Sequence, residues 1–149
     1  MYFVDRKKIE ELLRFMNHRL DAFESEEFGE KMNDQLFLER IGHMVIETII
    51  DVGNKMIDGF IMRDPGSYED IIDILEDEKV VSSEDAESLK QVISLRKMLV
   101  QNYTEVDHKE VEHVLRANLE PLKNFPSQVR RYLTEELGPV SAFLPDDHL

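Results

Sequence analysis

Cysteine is absent from this chain, which excludes disulfides, thiolate zinc sites and cysteine nucleophiles. Glycine and proline are scarce, six and five among 149 residues, so the chain has few points at which to turn and favours long helices. No apolar run approaches the roughly 20 residues of a membrane span. The start, MYFVDRKKIEELL, places acidic residues too early for a secretory signal. Positive charge is also in short supply: 18 Lys and Arg stand against 32 Asp and Glu, a net charge of −14. That sign repels polyanions at long range and argues against a nonspecific nucleic-acid coat. RNA binding is left to a recessed local site, since phosphate affinity depends on local Lys and Arg contacts. A soluble, cytoplasmic protein is expected. The sequon Asn102-Tyr103-Thr104 is then a chance match.

Helical spacing dominates what remains, and no alternating strand pattern stands out. Ile9, Leu12, Leu13, Met16, Leu20 and Phe23 share one face of a first helix, capped by Asp5. A loop is expected over the acidic stretch from Glu24 to Glu30. Phe37, Ile41, Met44, Val45, Thr48, Ile49, Val52 and Met56 predict a long second helix. Asn33 or Asp34 is its expected cap, and Arg63-Asp64-Pro65-Gly66 its end. Gly42, Gly53 and Gly59 within it each cost about 1 kcal/mol against Ala, which is tolerable where helices approach closely.

Ser67 and Ser82 resemble the first residues of capping boxes and begin the third and fourth helices. The fourth carries Leu89, Val92, Ile93, Arg96, Val100 and Tyr103 on one stripe, and Thr104 to Asp107 breaks it. Asp107 and Glu110 form a further cap-like pair. The fifth helix shows Val111, Val114, Leu115, Leu122, Phe125, Val129 and Leu133, with Pro121 and Pro126 bending or dividing it. The expected architecture is all-α, an antiparallel bundle of about five helices. A single helical domain spans 1–137. A tail over 138–149, apolar and then acidic, is either disordered or docks on a partner.

Arg96 is the residue out of place, a guanidinium on a stripe meant for the core. An unpaired buried charge costs several kcal/mol. It must pair with a carboxylate, for which Glu39, Glu47 and Asp51 on the long helix are candidates, reach solvent along its stem, or hold an anion. Tyr103, seven residues on, returns to the same face. It either lines the same pocket or closes the helix end as a half-buried aromatic.

The stretch SLRKMLVQNY resembles the signature of the HepT-like toxins of the HEPN superfamily: Arg, four residues, His, one residue, Tyr. Arg96, Val100 and Tyr103 match it, and Glu105-Val106-Asp107 is similar to the family's short acidic turn. The similarity runs from LERIGHMVIETIIDVGNKMI through the Pro-Gly-Ser-Tyr turn to the fifth helix. Lys97 stands where the family has Asn, and Gln101 where it has His.

The resemblance implies a metal-independent RNA endonuclease with no cofactor. In it Arg96 holds phosphate, while the motif histidine moves the proton of the ribose 2′-OH. Gln101 takes that position here, and glutamine does not titrate, so weakened or lost catalysis is expected. The resemblance also implies a homodimer with its two motifs close together, and a small nucleotidyltransferase antitoxin that transfers AMP to Tyr103. The site residues carried over are thus Arg96, Gln101 and Tyr103, with Tyr103 also the modification site. The alternative is a noncatalytic dimeric helical interaction protein.

On a regular helix Gln101 points roughly 140° away from Arg96, so a shared site needs a distorted helix end or a second subunit. Of the five histidines, His43 on the long helix and His108 after the motif are placed to approach Arg96 in its stead; ordinary surface histidines are the competing reading. Glu105-x-x-His108 and Glu110-x-x-His113 have the spacing of diiron bundles but sit too close in sequence for one, and no metal is expected.

Overall fold

The computed structural model describes residues 2–138; of the expected tail, 138–149, only Gly138 is among them. Among the described residues six α-helices follow one another: α1 (Arg6–Ser25), α2 (Met32–Gly59), α3 (Tyr68–Asp77), α4 (Ser83–Ile93), α5 (His108–Ala117) and α6 (Leu119–Leu137). Between α4 and α5 lie a π-helical turn, Lys97–Gln101, and a 3₁₀ turn, Tyr103–Glu105. No strand occurs among the described residues, and none of their helices is long and apolar enough to cross a membrane.

α2 is the axis of the bundle. It packs against α1, α3, α5 and the π turn, while α6 closes across α1 and α4. A helix with neighbours on several sides buries more than one stripe. Ile41, Val45, Ile49, Val52 and Met56 are buried as spacing requires, and Leu38, Ile46, Ile50 and Ile57 are buried beside them. Phe37, expected in this core, is instead 42% exposed and leans on Phe28. The neighbouring Leu38 takes the inward place. Leu12 and Met44 likewise sit at the margin rather than inside.

The caps follow the sequence with one exception. Asp5, Ser67, Ser82 and Asp107 each accept a hydrogen bond from the amide three residues on. α2 starts two or three residues earlier than expected, with Lys31 at the cap and no side-chain hydrogen bond from it. Asp34 accepts from the Gly29 amide instead, fastening the preceding loop. The long fifth helix divides into α5 and α6 at Asn118, whose buried amide donates to Val114 O and Gln91 Oε1. Pro121 then falls in the first turn of α6, where no intrahelical donor is needed. Pro126 remains inside the helix, buried against the core.

Two glycines are places of close approach. A Cβ on Gly53 lies 2.3 Å from Ile71 Cγ2, so α3 sits nearly on the backbone of α2. One on Gly59 lies 2.9 Å from Val4 Cγ2 and 3.0 Å from Phe3 O. Gly42 meets nothing nearer than Leu99 Cδ1 at 3.4 Å. Gly53→Ala is therefore expected to destabilise the protein by about 1–3 kcal/mol through overpacking. Gly42→Ala, which gains helix propensity without a clash, is expected to leave the urea midpoint unchanged or raise it. Equal midpoints for the two variants would show that α3 is not held against α2 at Gly53.

Candidate functional site

The site begins where α4 loses its regular winding. After Ile93 the chain turns at Ser94 and Leu95, then winds through Arg96 into a π turn, with Asn102 N donating to Lys97 O at 3.1 Å. A π turn closes residue i on i+5, one residue more than an α turn. Residues five apart are thereby brought round towards the same side, which lessens the divergence expected of Arg96 and Gln101 on a regular helix. The same extra residue breaks the apolar stripe. Val100 is only half-buried, and Tyr103, expected to return to the core face, is 67% exposed in the 3₁₀ turn. Gln101 is exposed as well.

Arg96 finds its carboxylate on α2. Its Nε donates to Glu47 Oε1 at 2.7 Å, which selects Glu47 from the three candidates. Its guanidinium carbon lies 4.4 Å from the centre of the ring of Tyr68, the first residue of α3. The side chain is 20% exposed. The Glu47 hydrogen bond raises the Arg96 pKa above the ordinary arginine value, so the guanidinium stays charged. Among the described residues this bond uses Nε alone, leaving the two terminal nitrogens, which fork in the geometry that suits a phosphate.

Tyr68 is held in place from below. Asp70 accepts from Arg63 Nη1 and Nη2 at 2.7 and 2.8 Å and from the Gly66 amide at 2.8 Å. These bonds fasten the loop that launches α3. The Arg63 bonds, then the Gly66 amide, hold the Asp70 carboxyl down at about 2.

Two histidines approach the same face. His43 lies one turn before Glu47, and its Nε2 is 3.4 Å from Glu47 Oε1, the oxygen that Arg96 uses. His108, at the start of α5, has Nε2 2.6 Å from Glu39 Oε2. Glu39, His43, Glu47 and Asp51 thus recur every four residues along α2, in one row. Partial desolvation and the neighbouring Glu47 charge raise the Asp51 carboxyl. The Glu-x-x-His pairs at 105–108 and 110–113 do not converge; among the described residues no three metal-ligating side chains come together.

Sequence reasoning finds Arg96, its partner Glu47 and the nearby His43, but not Tyr68. That ring arrives from α3, and no periodicity within either helix reports a contact between them. The Pro-Gly-Ser-Tyr turn preceding α3 is its only signal.

A family model described as ribonuclease HepT-like matches residues 7–129. YutE of Bacillus subtilis, provisionally named an RNase, is 53% identical over 143 residues, 96% of this chain and 99% of its own. The solved structure of that protein, described as cytosolic and of unknown function, superimposes with a TM-score of 0.92 over 96% of this chain and 100% of its own. A tri-AMPylated HEPN toxin of Shewanella oneidensis, in complex with MNT antitoxin, is 19% identical with a TM-score of 0.73. It covers 83% of this chain and 96% of its own, and at that identity the likeness speaks for the fold.

Three outcomes are expected of the site and of the loop beside it. Glu47→Ala leaves Arg96 without its carboxylate and is expected to cost about 1–3 kcal/mol in urea unfolding. A double-mutant cycle with Arg96→Ala is expected to return a coupling of about 1–2 kcal/mol, whereas a value near zero would mean that water screens the pair. Asp70 stabilises the fold in its charged form, because its folded pKa lies below the unfolded carboxylate value of about 3.9. Its contribution is full above that value and is lost as pH falls towards about 2. The stability difference between the native protein and Asp70→Asn is therefore expected to shrink over that window, and a pH-independent difference would contradict it.

Proposed function

This chain belongs to the HepT-like ribonuclease family, and on that premise we propose that it is the toxin-type member of a toxin–antitoxin pair, an RNA-cleaving homodimer acting in the cytoplasm. Its reaction is attack of a ribose 2′-OH on the adjacent phosphodiester. Arg96 holds the phosphate, Gln101 occupies the position of the motif base and positions RNA by hydrogen bonding, and Tyr103 accepts AMP. The observation that carries the reading is the half-used guanidinium of Arg96, fixed by Glu47 and Tyr68 with its terminal nitrogens left over. A fixed cation of this kind acts on one phosphate without needing a basic surface around it, which reconciles the reading with a net charge of −14.

The exposed Tyr103 phenol supports its role as acceptor, since a partner must reach it. Transfer joins the phenol oxygen to the α-phosphorus of ATP, releases pyrophosphate and gives up the phenol proton. Exposed Met32, Leu36 and Phe37 at the start of α2 support a dimer, because they leave an apolar strip for a second copy to cover. A noncatalytic dimeric interaction protein is the second reading. It is favoured by Gln101, which has no proton to exchange near neutrality.

The test is cleavage of a mixed-sequence single-stranded RNA by purified protein. Gln101→His is expected to raise the rate, and adding Arg96→Ala to lower it by about 100-fold or more. Treatment with the partner nucleotidyltransferase and ATP is expected to add AMP at Tyr103 and stop cleavage, and Tyr103→Phe to escape both effects. Absence of cleavage in every variant would leave the noncatalytic reading in its place.

A further inference from the structure

The proton that leaves the ribose 2′-OH needs an acceptor, and Gln101 is not one. The imidazole of His43 is within reach of the same machinery. Its Nε2 and the Arg96 Nε face one oxygen, Glu47 Oε1, at 3.4 and 2.7 Å. Guanidinium and imidazole therefore flank a single carboxylate from two different helical segments. Both side chains are partly open to solvent, His43 33% and Arg96 20%, so a substrate can reach them. Of the other histidines among the described residues, His108 contacts Glu39 instead, two row positions from Glu47, while His18 is exposed on α1 and His113 on α5.

We propose that His43, oriented by Glu47, is the proton-accepting catalytic residue of this chain. The proposal rests on the ribonuclease reading above and supplies the group which that reading leaves vacant. The arrangement has the general form of an acid–base site: a titrating ring, a carboxylate that orients it, and a fixed cation for the charge that develops. In the tautomer that carries its proton on Nε2, towards Glu47, the ring leaves the Nδ1 lone pair to act as base. Nδ1 takes the 2′-OH proton, and the 2′-oxygen forms a bond to phosphorus. The bond from phosphorus to the 5′-oxygen breaks, and the imidazolium returns its proton to that leaving oxygen. The products are a 2′,3′-cyclic phosphate and a free 5′-hydroxyl, with no metal or further reactant consumed. While the ring is protonated, Glu47 balances its charge, and Arg96 stays on the phosphate through its terminal nitrogens. Glu47 is thus a positioning residue for both.

The test compares four full-length proteins on one mixed-sequence RNA: the native chain, His43→Gln, Gln101→His, and His43→Gln combined with Gln101→His. Product ends are read as cyclic phosphate, and thermal melts confirm folding. The native chain is expected to cleave, His43→Gln to be slower by about 100-fold or more, and the combined variant to recover activity because the base is supplied from position 101. Native cleavage that His43→Gln leaves intact would overturn the proposal while the ribonuclease reading stands. An inert native chain beside an active Gln101→His protein would also overturn it, again with that reading intact. Inactivity of all four would sink both together.

Discussion

Glu47 is the point to which the site is tied. One of its oxygens receives Arg96 from the irregular segment after α4 and faces His43 from one turn earlier on α2. A charge half-withdrawn from water is tolerable only with its counterion held close. That requirement fixes the π-helical segment against the central helix and sets the direction in which the guanidinium fork opens. Tyr68 completes the arrangement from α3, whose own height above α2 is set by the bare backbone at Gly53. Three elements far apart in sequence thus converge on one guanidinium.

Much of this is legible in the sequence, for identifiable reasons. Caps such as Ser67 and Ser82 rely on interactions three residues apart and can be read locally. The buried stripe of α1 is a matter of spacing alone. Arg96 stands out because a charge among Leu, Met and Val demands a partner, and the demand narrows that partner to three carboxylates, including the one found. Phe37 and Tyr103 are misplaced because spacing assumes a helix of constant pitch and a single buried face. α2 has several buried faces, so Leu38 takes the place that periodicity assigns to its neighbour. The π turn changes the pitch itself, and nothing in KMLVQ announces an extra residue in the winding.

The acidity of the molecule looks different once the site is known. Many of its carboxylates pair on the surface, where exposed ion pairs contribute little. The row on α2 is unlike them, since Glu39 and Glu47 there each meet a histidine. A net charge of −14 also repels polyanions at long range. The same charge suits a partner protein with a basic face.

The π turn carries one residue more than an α turn of the same height. The number of residues in the motif is therefore a structural quantity. A one-codon deletion between 97 and 101 would restore regular winding, rotate everything downstream by about 100°, and carry the phenol of Tyr103 from the surface into the flank of the bundle. Amino-acid exchanges at these five positions leave the number of residues in the turn unchanged. Changes in their number alter the winding, and that asymmetry is a signature by which the segment's history can be traced among its relatives.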